Sequence, residues 1–154
     1  MRFYTISMLL AFLQASLITG LFASNLYVPD IVLVYLFIHI SRNDRTDLKK
    51  PLISGLYLDI MYDTFGWNMS GKLFSAFLLE LLKSRWIFAT RLSLIVSYAF
   101  IAFCEHLLRY FLFRLKYYYP FETHLFLTGI AVELSLLFVL TYIVIKENTQ
   151  GEKY

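Results

Sequence analysis

The chain has 154 residues, of which 59% are hydrophobic, 19% aromatic and 16% charged, with a formal net charge of +3 and a mean hydropathy of +0.63. A soluble domain is about half apolar and a quarter charged, so this balance points to one integral membrane domain and against a basic nucleic-acid-binding surface. A single cysteine, Cys104, excludes an internal disulfide.

The first apolar segment covers residues 3–23, after Arg2. It is longer than the roughly 7–15-residue core of a signal peptide and lacks a clear small-residue cleavage site, so it reads as a retained span. Ser7, Ala11, Ala15 and Thr19 recur every fourth residue, a stripe of small side chains that lets another helix approach closely. A short turn around Asn25 leads to Val28-Pro29-Asp30 and the apolar run 31–40. Proline is tolerated in a first helical turn, and Asp30 complements the positive end of the helix dipole. His39, near the far end of this run, reads as a packed or interfacial side chain.

Residues 41–50 form a polar loop holding Arg42, Arg45, Lys49 and Lys50. Pro51 restarts a helix to about residue 65, a length of about 22 Å against a hydrocarbon core of roughly 30 Å. Gly55, Asp59 and Asp63 follow one another at i, i+4 spacing, which puts them on one helical face. Gly66, Trp67 and Asn68 read as a turn, and 69–82 as a second short segment. The two short segments are either thinned spans or a shielded re-entrant hairpin.

Lys83, Arg85 and Arg91 flank an interfacial Trp86-Ile87-Phe88. The fifth segment starts at Leu92 and carries Glu105 and Arg109, an i, i+4 pair with the acid first, the better orientation for a helical ion pair. Arg114, Lys116 and the aromatic run Tyr117-Tyr118-Tyr119 before Pro120 read as an interfacial belt and a break. The last segment, about 122–145, has Glu133 near its middle and the small pair Ala131 and Ser135. The expected fold is therefore an all-α polytopic domain over residues 1–146, with about six transmembrane segments, and a polar tail over 147–154.

Orientation follows from the basic residues. An inside N-terminus places Arg2, the 42–50 cluster, Lys83, Arg85, Arg91, Lys146 and Lys153 in the cytoplasm, and Lys72, Arg109, Arg114 and Lys116 outside. That asymmetry favours two cytoplasmic termini. Arg109, Arg114 and Lys116 on the outer side are expected to meet phosphate head groups or an acidic partner segment.

Two carboxylates one turn apart, Asp59 and Asp63, could hold a divalent cation, but no second acid-rich motif completes such a site. Their expected role is structural or in partner contact. The group Glu105-His106-x-x-Arg109 resembles the Glu-Glu-x-x-x-Arg signature of intramembrane CAAX-type proteases only distantly, with a histidine for the second acid and a shorter spacing. Glu133 reads as a proton-relay or partner-binding residue, or as a protonated acid bonded to a neighbouring helix. No phosphate loop, H-E-x-x-H pair or G-x-S-x-G elbow is present. No catalytic residue, cofactor or metal is expected.

Val28-Pro29-Asp30 before a short span, a basic loop, Gly55-Leu56-x-x-Asp59, a Gly66 turn and another short span resemble the rod shape-determining protein MreD family over about residues 28–83. The resemblance implies a non-enzymatic inner-membrane scaffold of the bacterial cell-elongation machinery. It would bind an MreC-like bitopic protein and act, less directly, with an MreB-like actin and a SEDS glycosyltransferase paired with a class B penicillin-binding protein. The family is also similar to the substrate-binding subunits of energy-coupling-factor transporters, six-helix proteins, which makes a small-molecule-binding transporter subunit the alternative expectation. Under either reading the residues expected to contact a partner or line a pocket are Asp30, Gly55, Asp59, Asp63, Gly66, Glu105, Arg109 and Glu133.

Overall fold

The computed structural model describes residues 2–22, 26–43, 47–64, 66–85, 90–118 and 120–151. The segments expected around Asn25, Arg45, Trp86-Ile87-Phe88, Tyr119 and the extreme C-terminus lie outside the described residues. Among those described, every regular element is helical: α1 (Arg2–Phe22), α2 (Ile31–Ser41), α3 (Lys49–Tyr62), α4 (Trp67–Arg85), α5 (Arg91–Lys116) and α6 (Thr123–Gly151). Three helices are long and apolar enough to cross a membrane, over Arg2–Phe22, Leu92–Lys116 and Thr123–Tyr142. This is fewer than the six expected. Eleven residues make α2 about 17 Å long, too short by itself, and charged side chains dilute α3 and α4.

The short helix α2 is the centre of the bundle. It packs against α1, α3, α4 and α6, and Phe37 meets the Tyr98 ring of α5 at 5.1 Å. Val32, Leu33, Val34, Leu36, Phe37 and Ile40 are all buried. A helix that is apolar all round belongs in a core, whereas a surface helix shows one apolar stripe. Leu33, Leu36, Phe37 and Ile40 join Ala76 and Leu79 of α4, Ile101 of α5 and Leu137 of α6 in the main apolar cluster. On the outside, large apolar side chains such as Leu9, Leu17, Phe77, Val96, Phe100, Leu127 and Phe138 point away from the protein. Such a surface is costly in water and ordinary against lipid tails.

α1 departs from α-helical winding at Gln14–Ile18, where the Thr19 N–H reaches back five residues to the Gln14 carbonyl. The expected stripe is turned inward: Ser7 and Ala11 are fully buried, and Ala11 packs with Leu58 of α3 and Val32 of α2. Beyond the π turn Ala15 is half-buried, and Thr19 hydroxyl donates to the Tyr62 hydroxyl at 3.1 Å. The upper stripe is therefore occupied by the chain's own helices.

α3 and α4 form the closest helix pair. A Cβ on Gly55 would fall 2.8 Å from the Asn68 carbonyl oxygen and closer still to the Met69 Cα, so only glycine permits this crossing. Trp67 and Asn68, expected in a turn, belong to the first turn of α4, and its nineteen residues reach about 28 Å. Asp63 ends α3 in a left-handed conformation (φ 53°), and Gly66 follows with φ 85°. Asp63 thus leaves the face shared by Gly55 and Asp59. At the other end of the chain α6 continues to Gly151, so its backbone shows no break at the expected boundary of 146.

Candidate functional site

The first polar problem the fold must solve is the N-terminus of α2. Residues 28–30 are buried and outside regular secondary structure, and carry the chain into the bundle before the helix begins. The first amides of a helix have no partner within it, and here they start inside the protein rather than at its surface. Three side chains supply acceptors. The Asp30 carboxylate accepts from Leu33 N at 2.8 Å as the helix cap, Gln14 Oε1 of α1 accepts from Val32 N at 3.3 Å, and Glu133 Oε1 of α6 accepts from Asp30 N at 2.6 Å. Asp30 is the cap itself and Pro29 stands before it, two positions ahead of the first helical residue, Ile31, rather than in the first turn as expected.

Around that terminus lies a network of buried charge. Lys72 of α4 is fully buried and bonds the Asp30 carboxylate and, at 3.0 Å, Glu105 Oε1. Arg109 stands 3.4 Å from Asp30 Oδ2 and 3.2 Å from Glu105 Oε2. The Arg109–Glu105 contact is an ion pair whose angle falls outside hydrogen-bond geometry. Arg109 Nη1 also donates to Asn68 Oδ1 at 3.2 Å. Gly71 makes the arrangement fit, because a Cβ there would meet Glu105 Oε1 at 2.7 Å. Glu105 lies 11 residues, about 17 Å, from the Lys116 end of α5, so the network sits near the middle of that helix and inside the bundle. The expected Glu105–Arg109 pair is present as one edge of a larger ring.

Glu133 completes the network from α6. Its Oε2 accepts from the Tyr98 hydroxyl at 2.6 Å, and His106 Nε2 lies 2.7 Å from Oε1. On its other side His106 Nδ1 contacts Arg109 Nη2 and lies 3.6 Å from Glu105 Oε2, so the ring bridges Glu133 to the rest of the network. Glu133 thus meets the Asp30 amide, at the start of α2, and the Tyr98 hydroxyl and His106, both of α5. Three acids, Asp30, Glu105 and Glu133, thus lie around Lys72, Arg109 and His106. The α2 N-terminus adds a partial positive charge beside Asp30.

Asp59 performs a separate task next door. Its carboxylate accepts from the amides of Gly66 (3.0 Å), Asn68 (2.9 Å) and Met69 (3.0 Å), and from the hydroxyl of Thr64 (2.9 Å). A side chain of α3 thereby caps the N-terminus of α4, which explains why that helix begins at Trp67. Asn68 links the two systems, donating Nδ2 to Asp59 and accepting from Arg109.

The structure therefore brings together Asp30, Glu105, Arg109 and Glu133, with Asp59 and Gly55 joined through Asn68. Asp63 is exposed and stands outside the network. Among the described residues no group of three or more His, Cys, Asp or Glu side chains is arranged to hold a metal. Sequence reasoning missed Lys72, His106, Asn68, Tyr98 and Gln14. Lys72 and Arg109, counted as outer-side charges, are buried inside the bundle, so the exposed outer-side basic residues reduce to Arg114 and Lys116. The signal for Lys72 was a lysine beside Gly71 in the interior of a helix; the signal for His106 was its place between Glu105 and Arg109.

Two spaces adjoin the network. A recess of about 40 Å³ lies beside Asn68 and Arg109, walled by Leu26, Trp67 and Phe113. Outside it, a cleft of about 380 Å³ opens between the α3–α4 turn and the end of α5. Comparison of the chain with protein-family models, with curated proteins and with solved structures finds no match.

Proposed function

We propose that this chain is a non-enzymatic membrane scaffold of the MreD type, acting in bacterial cell elongation by holding a single-span, MreC-like partner. In this reading all six segments cross the inner membrane, the second as α2 together with the non-helical residues 26–30 before it, α3 and α4 as a hairpin with the Gly66 turn outward, and both termini lie in the cytoplasm. The orientation gains support from the burial of Lys72 and Arg109, which leaves Arg114 and Lys116 as the outer basic residues against ten on the inner side by sequence count. The residues that carry the family resemblance also have connected architectural roles: Asp30 caps α2, Gly55 admits the α3–α4 crossing, and Asp59 caps α4.

The observation that carries the scaffold reading over a solute-binding one is the internal pairing of the network. Each buried carboxylate has donors or cations from the chain itself, and the space that reaches Arg109 is only about 40 Å³, room for a few waters, the larger cleft lying outside the network. Polar groups arranged this way fix helix positions and leave the outward apolar faces for a partner helix. Because Ser7 and Ala11 are already covered, the partner meets those outward faces instead of the small-residue stripe. Mass spectrometry of the gently solubilised complex tests the reading. A single-span protein retained in fixed ratio is the expected result; a stoichiometric water-soluble solute in its place overturns it.

A further inference from the structure

The cleft between the α3–α4 turn and the end of α5 has a composition of its own. Tyr62, Trp67, Phe113 and Tyr117 form its walls, and it holds one acid, Asp63, and one base, Lys116. Both charged residues are exposed, and neither has an ion-pair partner among the described residues. Trp67 packs edge-on against Phe113 at 5.3 Å and Tyr117 at 6.2 Å, a rigid aromatic corner. Lys116 Nζ sits 5.4 Å from the centre of the Tyr117 ring. Immediately beside the cleft, Leu115 and Tyr118 are 85% and 94% exposed. Aromatic rings and an outward leucine at the end of a long apolar helix mark the boundary between acyl chains and head groups.

We propose that this cleft is a binding site for the head group of a zwitterionic phospholipid carrying a primary ammonium, such as phosphatidylethanolamine. Lys116 takes the phosphate, Asp63 takes the ammonium, and the aromatic corner adds cation–π attraction to the ammonium while the acyl chains run past Leu115. A purely anionic lipid would satisfy Lys116 but bring a second negative group toward Asp63. The opposed charges in one cleft thus select for a head group that itself carries both signs. The inference needs only that the chain lies in a bilayer, and stands apart from the scaffold reading.

The test uses the full-length protein in detergent, with phosphatidylethanolamine or phosphatidylglycerol of identical acyl chains added and retained lipid counted by native mass spectrometry. Wild type should retain the ethanolamine lipid about fivefold better, the scale of one exposed cation–π or ion-pair contact. Asp63→Asn is a mild change, since asparagine also tolerates the left-handed backbone at that position. It should bring the two lipids to parity. Lys116→Gln should reduce retention of both. Equal retention by wild type, or an unchanged ratio in Asp63→Asn, overturns the proposal. So does displacement of the lipid by soluble phosphoethanolamine, which would assign the cleft to a free ligand.

Discussion

The two halves of the bundle are held in different ways. Toward the Ser41 end of α2, Leu36, Phe37 and Ile40 pack with Leu79 of α4 and Ile101 of α5, contacts without direction that tolerate small shifts. Toward the Asp30 end, five of the six helices place a hydrogen-bonding or charged side chain around one helix terminus, each contact with a required angle and sign: Gln14, Asp30, Lys72, Glu105, Arg109 and Glu133. In a bilayer the apolar half gains little from burial itself, because lipid tails are as apolar as leucine. The charged half has no such alternative, since a carboxylate released toward lipid costs several kcal/mol. Helix positions are therefore set by the polar half and filled in by the apolar one.

Four substitutions probe that contrast, in falling order of effect. Lys72→Met leaves Asp30 and Glu105 with Arg109 as their one shared cation and should destabilise by about 3 kcal/mol, the low end for a broken buried pair. Thermal unfolding in detergent reads it, and adding Glu105→Met to the same chain should recover part of the loss. In the apolar half, Leu79→Ala leaves a cavity and should cost about 2 kcal/mol, the low end of core truncations, because no transfer from water is forfeited. A loss as large as that of Lys72→Met would erase the contrast between the halves. Asp59→Asn keeps the shape but weakens the cap on α4 and should cost about 1 kcal/mol. Hydrogen exchange localised to Asn68 and Met69 would show it. Asp63→Asn, outside both halves, should change stability by less than about 0.5 kcal/mol in the same thermal assay.

The apolar half was the more legible in the sequence. Runs of leucine, isoleucine and phenylalanine mark the helices, and all six elements fall near the expected segments. Local pairings were legible too: Asp30 before an apolar run is a cap, and Glu105 with Arg109 is an i, i+4 pair. What the one-dimensional pattern hides is closure over distance. Lys72 meets an acid 42 residues before it and another 33 after it, and the one local hint, Gly71 beside it, does not say which acids those are. Trp67 and Asn68 look like a turn because the cap that makes them helical sits on α3, nine residues before Asn68. Asp63 shared a helical face with Asp59 only so long as the helix was assumed to continue, and its left-handed backbone ends that face.

The buried start of α2 also constrains the order in which the fold can close. Asp30 lies near the beginning of the chain, yet its amide is satisfied by Glu133 and its carboxylate by Lys72 and Arg109, all synthesised later. When α1 and α2 first reach the membrane, that terminus has only Asp30 and Gln14 for company. Its remaining partners come with α4, α5 and α6. The terminus is therefore complete only when the last helix docks beside the second.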